Sequence, residues 1–389
     1  MKDGDPQFEF ATSGRIVFGW GTLNRLPDLI GHLGSRVFVV CGSNADRVQP
    51  LLALLQQNEF SSRLFQISQE PSIELIQQGT LQAREESDWV LAFGGGSVLD
   101  AGKAIAIMAC QTGAVLDYLE VIGAGKGFEK SGLPVVAIPT TAGTGSEVTR
   151  NAVLSSSQHQ VKVSMRHPSM LPALALVDPS LSVPCPSAIT AATGLDALTQ
   201  LIEPFLSCKA NPMTDGFCRQ GIPLVIRSIR KVFHEPQNQQ ARTDMALASL
   251  LGGLALANSG LGAVHGIAGP FGGMFSGAPH GAVCAALLPA SLQINERLLG
   301  KRYSNHECHL RLKELTHMIT GNQDAEFCEA LAWISQTVDL LEIPGLSSYG
   351  LNAKEVPSLV EKSMKASSMK GNPIQFSATE ITELIHLAS

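Results

Sequence analysis

Four side chains with metal-binding chemistry occur in the second half of the sequence. Asp196 and Gln200 lie four residues apart in a largely apolar helical segment, so they share one helix face. A carboxylate on an apolar helix needs a partner or a metal ion. His265 lies among small apolar residues, and His280 lies at a turn between a proline and a glycine. One carboxylate, one amide oxygen and two imidazoles can form a four-ligand site, although hydrogen bonding within a core would also explain each residue taken alone.

Two short loops in the first half have the composition of phosphate-binding loops. Residues 94–97 (GGGS) follow an apolar run and precede a helical one. Glycines there let the backbone approach a pyrophosphate, whose charge a helix N-terminus attracts. Residues 139–147 (PTTAGTGSE) offer hydroxyl and N–H groups. The glycine loop matches neither the Gly-x-Gly-x-x-Gly fingerprint nor a P-loop, and a packing turn is the alternative for each loop. Because both follow strands of one predicted sheet, where α/β proteins bind ligands, we predict a nucleotide cofactor.

The elements that hold these loops follow from the apolar pattern. Continuous apolar runs separated by helical patterns are typical of a parallel sheet covered on both faces. These runs are residues 36–41, 89–93, 134–138 and 173–177. Residues 15–19 are predicted as an edge or hairpin strand, and residues 120–133 as a loop.

The pattern changes near residue 184, after which only helices are predicted. They are residues 188–207, 215–233 and 240–259, and several between 281 and 387. A capping box at residues 377–380 (SATE) opens the last of them. We therefore predict an α/β nucleotide-binding domain over residues 1–183 and an all-helical metal and substrate domain over residues 184–389.

Composition excludes several classes of function. With 28 Lys and Arg against 34 Asp and Glu, the net charge of the 389 residues is −6, which does not favour nucleic acid or anionic lipid. An apolar fraction of 44% and a charged fraction of 16% are typical of a folded chain. No stretch is apolar for long enough to span a membrane, and no segment has the pattern of a signal peptide. Eight scattered cysteines without a Cys-x-x-Cys pair favour a reducing cytoplasm.

Seven ordered segments resemble those of the iron-containing (group III) alcohol dehydrogenases, along nearly the whole chain. They are residues 18–21 (FGWG), 94–103 (GGGSVLDAGK), 139–147 (PTTAGTGSE), 176–179 (LVDP), 194–200 (GLDALTQ), 265–270 (HGIAGP) and 278–281 (APHG). The resemblance implies a dehydroquinate synthase-like architecture, with an N-terminal dinucleotide-binding domain, a C-terminal helical domain and an active site in the cleft between them. It also implies reversible hydride transfer between NAD or NADP and an alcohol/aldehyde or ketone pair.

Residue roles follow by motif from this resemblance. Asp196, His265 and His280 are the implied catalytic and metal-binding residues, with iron(II) favoured and zinc as the alternative. Gln200 is the fourth predicted ligand; it replaces a family histidine, and its amide oxygen is a poorer ligand than imidazole. Gly269 replaces a second family histidine near the nicotinamide, so a proton would leave through water or a cofactor hydroxyl. The residues predicted to contact the cofactor are Gly42, Ser43, Asn44, Gly94, Gly95, Gly96, Ser97, Asp100, Thr140, Thr141, Thr144, Ser146 and Lys162.

Gly42 bears on the choice of cofactor. Many family members have an aspartate just after the first strand, where it binds the adenosine ribose and repels a 2′-phosphate. Glycine at this position removes that repulsion, so we expect NADPH to be used at least as well as NADH. The resemblance also implies a homodimer or a larger homo-oligomer, with a small molecule as the substrate.

Three other functions use related architecture or motifs. A metal-independent reductase like the maleylacetate reductases would need no ligand set. A cyclising lyase resembling dehydroquinate synthase would use the same domains, but the loop after Pro139 matches the dehydrogenases. A non-catalytic cofactor-binding protein would need the glycine loop alone, and the three retained ligand-type residues argue against it.

Overall fold

The computed structural model describes residues 7–303 and 305–389, which divide into two compact units. An α/β unit contains residues 12–141 and 145–184. A helical unit contains residues 7–11, 142–144 and 185–389. The predicted fold class, a parallel-sheet α/β domain followed by a helical domain, is confirmed.

The α/β unit is built on a six-stranded parallel sheet. Its strands are β1 (Ile16–Phe18), β2 (Arg36–Gly42), β3 (Ser61–Ile67), β4 (Trp89–Gly94), β5 (Val135–Pro139) and β8 (Leu174–Val177). Their order across the sheet is β1-β8-β5-β4-β2-β3. Strands β6 (Asn151–Ser156) and β7 (Val161–Arg166) form a separate antiparallel pair. The four predicted apolar strands are present within one residue of their predicted bounds, and β1 lies at an edge beside β8.

Helices cover both faces of this sheet. They are α1 (Leu26–Ile30), α2 (Ala45–Gln57), α3 (Ile73–Glu86) and α4 (Gly96–Ala109). Alternate residues along each strand face opposite ways: Val37 and Val39 of β2 pack with α1 and α2, whereas Phe38 and Val40 pack with α3 and α4. The sheet is therefore buried on both sides, which is why its central strands are apolar throughout.

The helical unit contains nine α-helices and, among its described residues, no strand. They are α5 (Ser187–Leu206), α6 (Pro212–His234), α7 (Gln239–Ser259), α8 (Ala263–Met274), α9 (His280–Arg302), α10 (Cys308–Thr320), α11 (Phe327–Leu340), α12 (Val356–Lys365) and α13 (Ala378–Leu387). Helix α6 begins three residues before its predicted start because Asn211 caps it and Pro212 occupies its first position. The capping box predicted at Ser377 opens α13.

Membrane-spanning potential is confined to one bent pair of helices. In the described chain no single helix has the length and apolar composition to cross a bilayer. Helices α7 and α8 pass that test only when taken together, with a bend of 97° between them.

Candidate functional site

The carboxyl edge of the sheet contains a topological switch point. From β2 the chain passes to β3 on one side, and β4 lies on the other side of β2. Cys41 pairs with Phe93, so Gly42 and Gly94 leave the sheet side by side. On the far side of β4, the Thr140 N–H donates to the Gly94 carbonyl oxygen at 2.9 Å. Ligands of open α/β sheets bind at such a point, and the glycine loop, the threonine loop and Gly42 all lie at this edge of the sheet.

The first two glycines of residues 94–97 have different roles. A Cβ on Gly94 would lie 2.5 Å from a Val98 methyl carbon, so this glycine lets α4 pack against its own strand. Gly95 is the N-cap of α4, and a Cβ there would make only ordinary contact with Thr141, at 3.4 Å. Packing therefore explains Gly94, whereas Gly95 leaves space at a helix N-terminus where an anion can approach the backbone. Gly96 and Ser97 form the first turn of the same helix.

Asp100 and Ser146 hold one end of the threonine loop against α4. The Ser146 hydroxyl donates to Asp100 Oδ1 at 2.6 Å, and the Val153 N–H donates to Asp100 Oδ2 at 2.9 Å. Buried Lys103 pairs with Asp100 at 3.2 Å and donates to the Ser146 carbonyl oxygen at 3.0 Å. Burial lowers the pKa of Lys103, although Asp100 and Glu147 act to raise it. These contacts make Asp100 and Ser146 positioning residues for the loop.

The other predicted cofactor residues are placed as follows. Ser43 is exposed, and Asn44 caps α2 by accepting a hydrogen bond from the Asp46 N–H at 3.0 Å. Lys162, on β7, pairs with Glu70 at 2.6 Å. Because Glu70 follows the end of β3, this contact places the ammonium group near the carboxyl edge of the sheet. Thr144 belongs to the short segment that groups with the helical unit.

The candidate metal ligands come together in the helical unit from α5, α8 and α9. Asp196 lies within α5, His265 near the start of α8, and His280 at the first residue of α9. Close helix packing requires Gly281, because a Cβ there would lie 2.4 Å from the Ala192 carbonyl oxygen and 3.2 Å from the Asp196 Cβ. The glycine after His280 thus brings the start of α9 against the carboxylate of α5.

The ligand atoms form one compact cluster. The ligand atoms of Asp196, His265, His280 and Cys284 all lie within 4.8 Å of one another, and the first two and Cys284 are buried. Asp196 Oδ1 and His265 Nε2 are 3.4 Å apart. The Gln200 amide nitrogen donates to Asp196 Oδ2 at 2.9 Å, which leaves its own oxygen available.

Three buried atoms of this cluster have no hydrogen-bond partner. They are Asp196 Oδ1, Gln200 Oε1 and His265 Nε2. Leaving a buried polar atom unsatisfied costs about 1–3 kcal/mol, and Asp196 Oδ1 and His265 Nε2 have each other as neighbours at 3.4 Å. A divalent cation would bind Asp196 Oδ1 and His265 Nε2, so these residues fit the metal that their chemistry implies.

Glu203 orients the imidazole of His265. Its Oε1 accepts from the Val264 N–H at 2.7 Å, in the first turn of α8, and its Oε2 lies 2.7 Å from His265 Nδ1. A carboxylate accepts only, so Nδ1 donates and Nε2 faces the cluster, where it offers a lone pair once it has lost its own proton. The same carboxylate therefore stabilises the N-terminus of α8 and sets the tautomer of the ligand.

The electrostatics of the cluster favour a positive charge at its centre. Burial acts to raise the pKa of Asp196, but attraction to the His265 and His280 rings outweighs burial and lowers it. Burial acts to lower the pKa of His265, but the Cys284 sulfur and the Glu203 carboxylate raise it well above its ordinary value.

Comparison with known proteins identifies the family. Residues 13–179 match the family described as iron-containing alcohol dehydrogenase, and residues 190–389 match its C-terminal region. The chain belongs to the iron-containing alcohol dehydrogenase family. It is 38% identical over 320 residues to long-chain-alcohol dehydrogenase 1 of Geobacillus thermodenitrificans, covering 79% of this chain and 78% of that protein. It is 33% identical over 382 residues to alcohol dehydrogenase 4 of Saccharomyces cerevisiae, covering 95% and 96%. The crystal structure of a 1,3-propanediol oxidoreductase matches with a TM-score of 0.90 at 30% identity, covering 98% of this chain and all of the other.

The activity follows from this membership. Iron-containing alcohol dehydrogenases use NAD(P) and iron, and this chain is an NAD-dependent oxidoreductase for small-molecule alcohols. The predicted family and reaction type are confirmed, and the lyase and the non-catalytic binding protein are set aside.

Two groups of the cluster were missed in the sequence. Glu203 lies seven residues after Asp196, two helical turns along the same face of α5. Cys284 lies four residues after His280, on the same face of α9. A search for mixed donors at helical spacing would have found both residues, whereas a search for paired cysteines could not.

Proposed function

We propose that this chain is a metal-assisted dehydrogenase in which Asp196, His265 and His280 hold a divalent cation, with Gln200 beside them as a weak fourth donor. The observation that supports this assignment is the group of unsatisfied buried atoms on Asp196, Gln200 and His265. A reductase without a metal would keep these atoms buried at a cost and gain nothing from them.

The donor types favour iron(II) or zinc. Imidazole nitrogen with carboxylate oxygen suits these ions, whereas magnesium and calcium prefer oxygen ligands alone. When bound, the cation acts as a Lewis acid on the alcohol or carbonyl oxygen of the substrate.

The protein's own groups provide charge, orientation and space. Asp196 supplies the formal negative charge among the proposed ligands, and Glu203 keeps the His265 Nε2 lone pair available. In alcohol oxidation the substrate gives its hydride to the nicotinamide and its hydroxyl proton to solvent. Gly269 leaves open space, since a Cβ there would meet nothing within 4 Å. Water at this position can accept the proton in the absence of a side-chain relay.

The cofactor is assigned to the switch point of the sheet. The pyrophosphate would lie against Gly95 and the N-terminus of α4, and the hydroxyl groups of Thr140 and Thr141 would face the cofactor. The adenosine ribose would lie beside Gly42, where no side chain opposes a 2′-phosphate. We therefore propose that NADP serves at least as well as NAD.

Location and assembly are further parts of the proposal. None of the eight cysteines, all in the described part of the chain, forms a disulfide, which suits a reducing compartment such as the cytoplasm. We propose a homodimer or a larger homo-oligomer, in line with the resemblance to the family, and no nucleic acid or membrane partner.

Two alanine variants test the metal assignment. Asp196→Ala and His265→Ala should each lose both bound metal and turnover of NAD(P)H with aldehydes or ketones, while circular dichroism shows the helical unit intact. Metal content measured by mass spectrometry on the same samples links the two losses. Variants that turn over at the wild-type rate without metal would decide for the metal-independent reductase.

A further inference from the structure

We propose that the Cys284 sulfur, rather than the Gln200 amide oxygen, completes the donor set of the cation. The inference rests on the metal site proposed above and replaces the Gln200 oxygen in it with one thiolate. The set becomes one carboxylate oxygen, two imidazole nitrogens and one sulfur.

The distances between donors agree with a tetrahedral site that contains sulfur. Bonds of about 2.1 Å from the metal to nitrogen or oxygen and about 2.3 Å to sulfur place tetrahedral N and O donors about 3.4 Å apart, and S and N donors about 3.6 Å apart. Asp196 Oδ1 and His265 Nε2 are 3.4 Å apart. Cys284 Sγ and His280 Nε2 are 3.6 Å apart. Two independent edges of the cluster thus have the lengths that a mixed tetrahedron requires.

Helix α9 places this sulfur beside the His280 ring. His280 and Cys284 are four residues apart, so their side chains lie one above the other on the face turned toward Asp196. The Cys284 side chain is fully buried. In the described part of the chain a single group of His, Cys, Asp and Glu residues meets the distance test for a metal, and Cys284 is its only cysteine.

Gln200 then has a different role. Its amide nitrogen donates to Asp196 Oδ2, which fixes the carboxylate so that Oδ1 faces the other donors. Thiolate is a stronger ligand for iron(II), zinc or cobalt(II) than an amide oxygen. On binding, the sulfur forms a bond to the metal and releases the thiol proton to solvent.

X-ray absorption at the zinc edge tests the proposal on the zinc-loaded wild-type protein. We expect one sulfur at about 2.3 Å among nitrogen and oxygen neighbours at about 2.0–2.1 Å. Cobalt(II)-loaded protein should also show a thiolate-to-cobalt charge-transfer band in the near ultraviolet. Cys284→Ser should abolish both signatures and weaken zinc binding by at least about tenfold.

A matched cysteine serves as the control. Cys218 is equally buried, on α6 of the same unit, and lies outside the cluster. Cys218→Ser should retain the sulfur signal, the cobalt band and the zinc affinity. If Cys284→Ser does not fold, the wild-type absorption spectrum still decides the question.

The outcomes separate this proposal from the proposed function. One equivalent of bound metal with no sulfur neighbour overturns the role of Cys284 and leaves the metal site standing. Protein that binds no stoichiometric metal overturns both.

Discussion

Replacing Glu203 with glutamine should weaken metal binding without changing a metal ligand. The present carboxylate accepts two hydrogen bonds of 2.7 Å, from the Val264 N–H and from His265 Nδ1. Glutamine offers one acceptor and one donor, so it can satisfy only one of these groups. If its amide nitrogen faces His265, Nδ1 must accept, and the proton moves to Nε2, where it blocks the metal.

The size of the effect follows from the role of such orienting groups. Loss of an outer partner of a metal-bound histidine costs about 10–100-fold in metal affinity, or about 1.4–2.8 kcal/mol. We expect Glu203→Gln to lower zinc affinity by that factor, as measured by competition with a chromophoric chelator. The extended X-ray absorption of any zinc that remains should show a changed nitrogen shell.

Asp244→Asn separates this effect from a general loss of stability. Asp244 is another buried carboxylate of the helical unit, where it accepts from Arg227, Ser228 and Gln240. Its asparagine variant should unfold at a lower denaturant concentration but bind zinc as the wild type does. Zinc affinity within twofold of wild type in a folded Glu203→Gln protein would refute the tautomer argument.

Three further predictions concern the α/β unit. Gly95→Val should lower cofactor affinity at least tenfold in a fluorescence titration, because the side chain would keep the pyrophosphate from the helix N-terminus. The melting temperature of the cofactor-free protein should stay within a few degrees of wild type. Normal cofactor binding by a destabilised variant would make Gly95 a packing residue only. Gly42→Asp has open space around its Cβ and should lower kcat/KM for NADPH about tenfold or more, with NADH little changed, since two negative charges near a protein surface repel by a few kcal/mol before screening. Equal losses for both cofactors would place the 2′-phosphate elsewhere. Burial raises the pKa of Glu147 to about 7, against the opposing effects of a backbone hydrogen bond and of Lys103. Its protonated form therefore stabilises the fold below pH 4.5, and this contribution of about 3 kcal/mol is lost as pH rises to about 7. Denaturant titrations should show that the free energy of unfolding of Glu147→Gln depends less on pH over this range. The same pH dependence as in the wild type would show that the carboxyl is ionised throughout.

The sheet was predictable where its strands are buried on both faces. Strands β2, β4, β5 and β8 are apolar throughout because helices cover them from both sides. Strand β3 escaped prediction because it is an edge strand in which only Phe65 and Ile67 are buried. Its remaining residues face solvent, so neither a continuous apolar run nor a clean alternation marks it.

The glycine loop shows a second limit of sequence reasoning. Three successive glycines can serve helix packing or phosphate binding, and the composition alone does not distinguish these two roles. The structure assigns packing to Gly94 through its contact with Val98, and leaves space at Gly95. The role of each glycine depends on how closely helix α4 approaches strand β4, and this distance cannot be read from the sequence.

The metal cluster could be predicted only in part, because it depends on how three helices pack. Asp196, His265 and His280 were found from their residue types and family motifs, but their meeting point depends on the packing of α5, α8 and α9. Only that packing reveals Cys284 beside His280 and Glu203 behind His265. Their helical spacing from Asp196 and His280 is a signal in the sequence, but it does not show which groups the two side chains contact.

Removing the metal and then restoring it tests most simply whether turnover depends on the bound cation. Wild-type protein is stripped with a chelator, its metal content is measured, and NAD(P)H oxidation with a panel of aldehydes, ketones and keto acids is followed before and after adding iron(II) or zinc. We expect turnover to fall in proportion to the metal lost and to return when one equivalent per chain is restored. Full turnover by metal-free protein in the presence of chelator would contradict it.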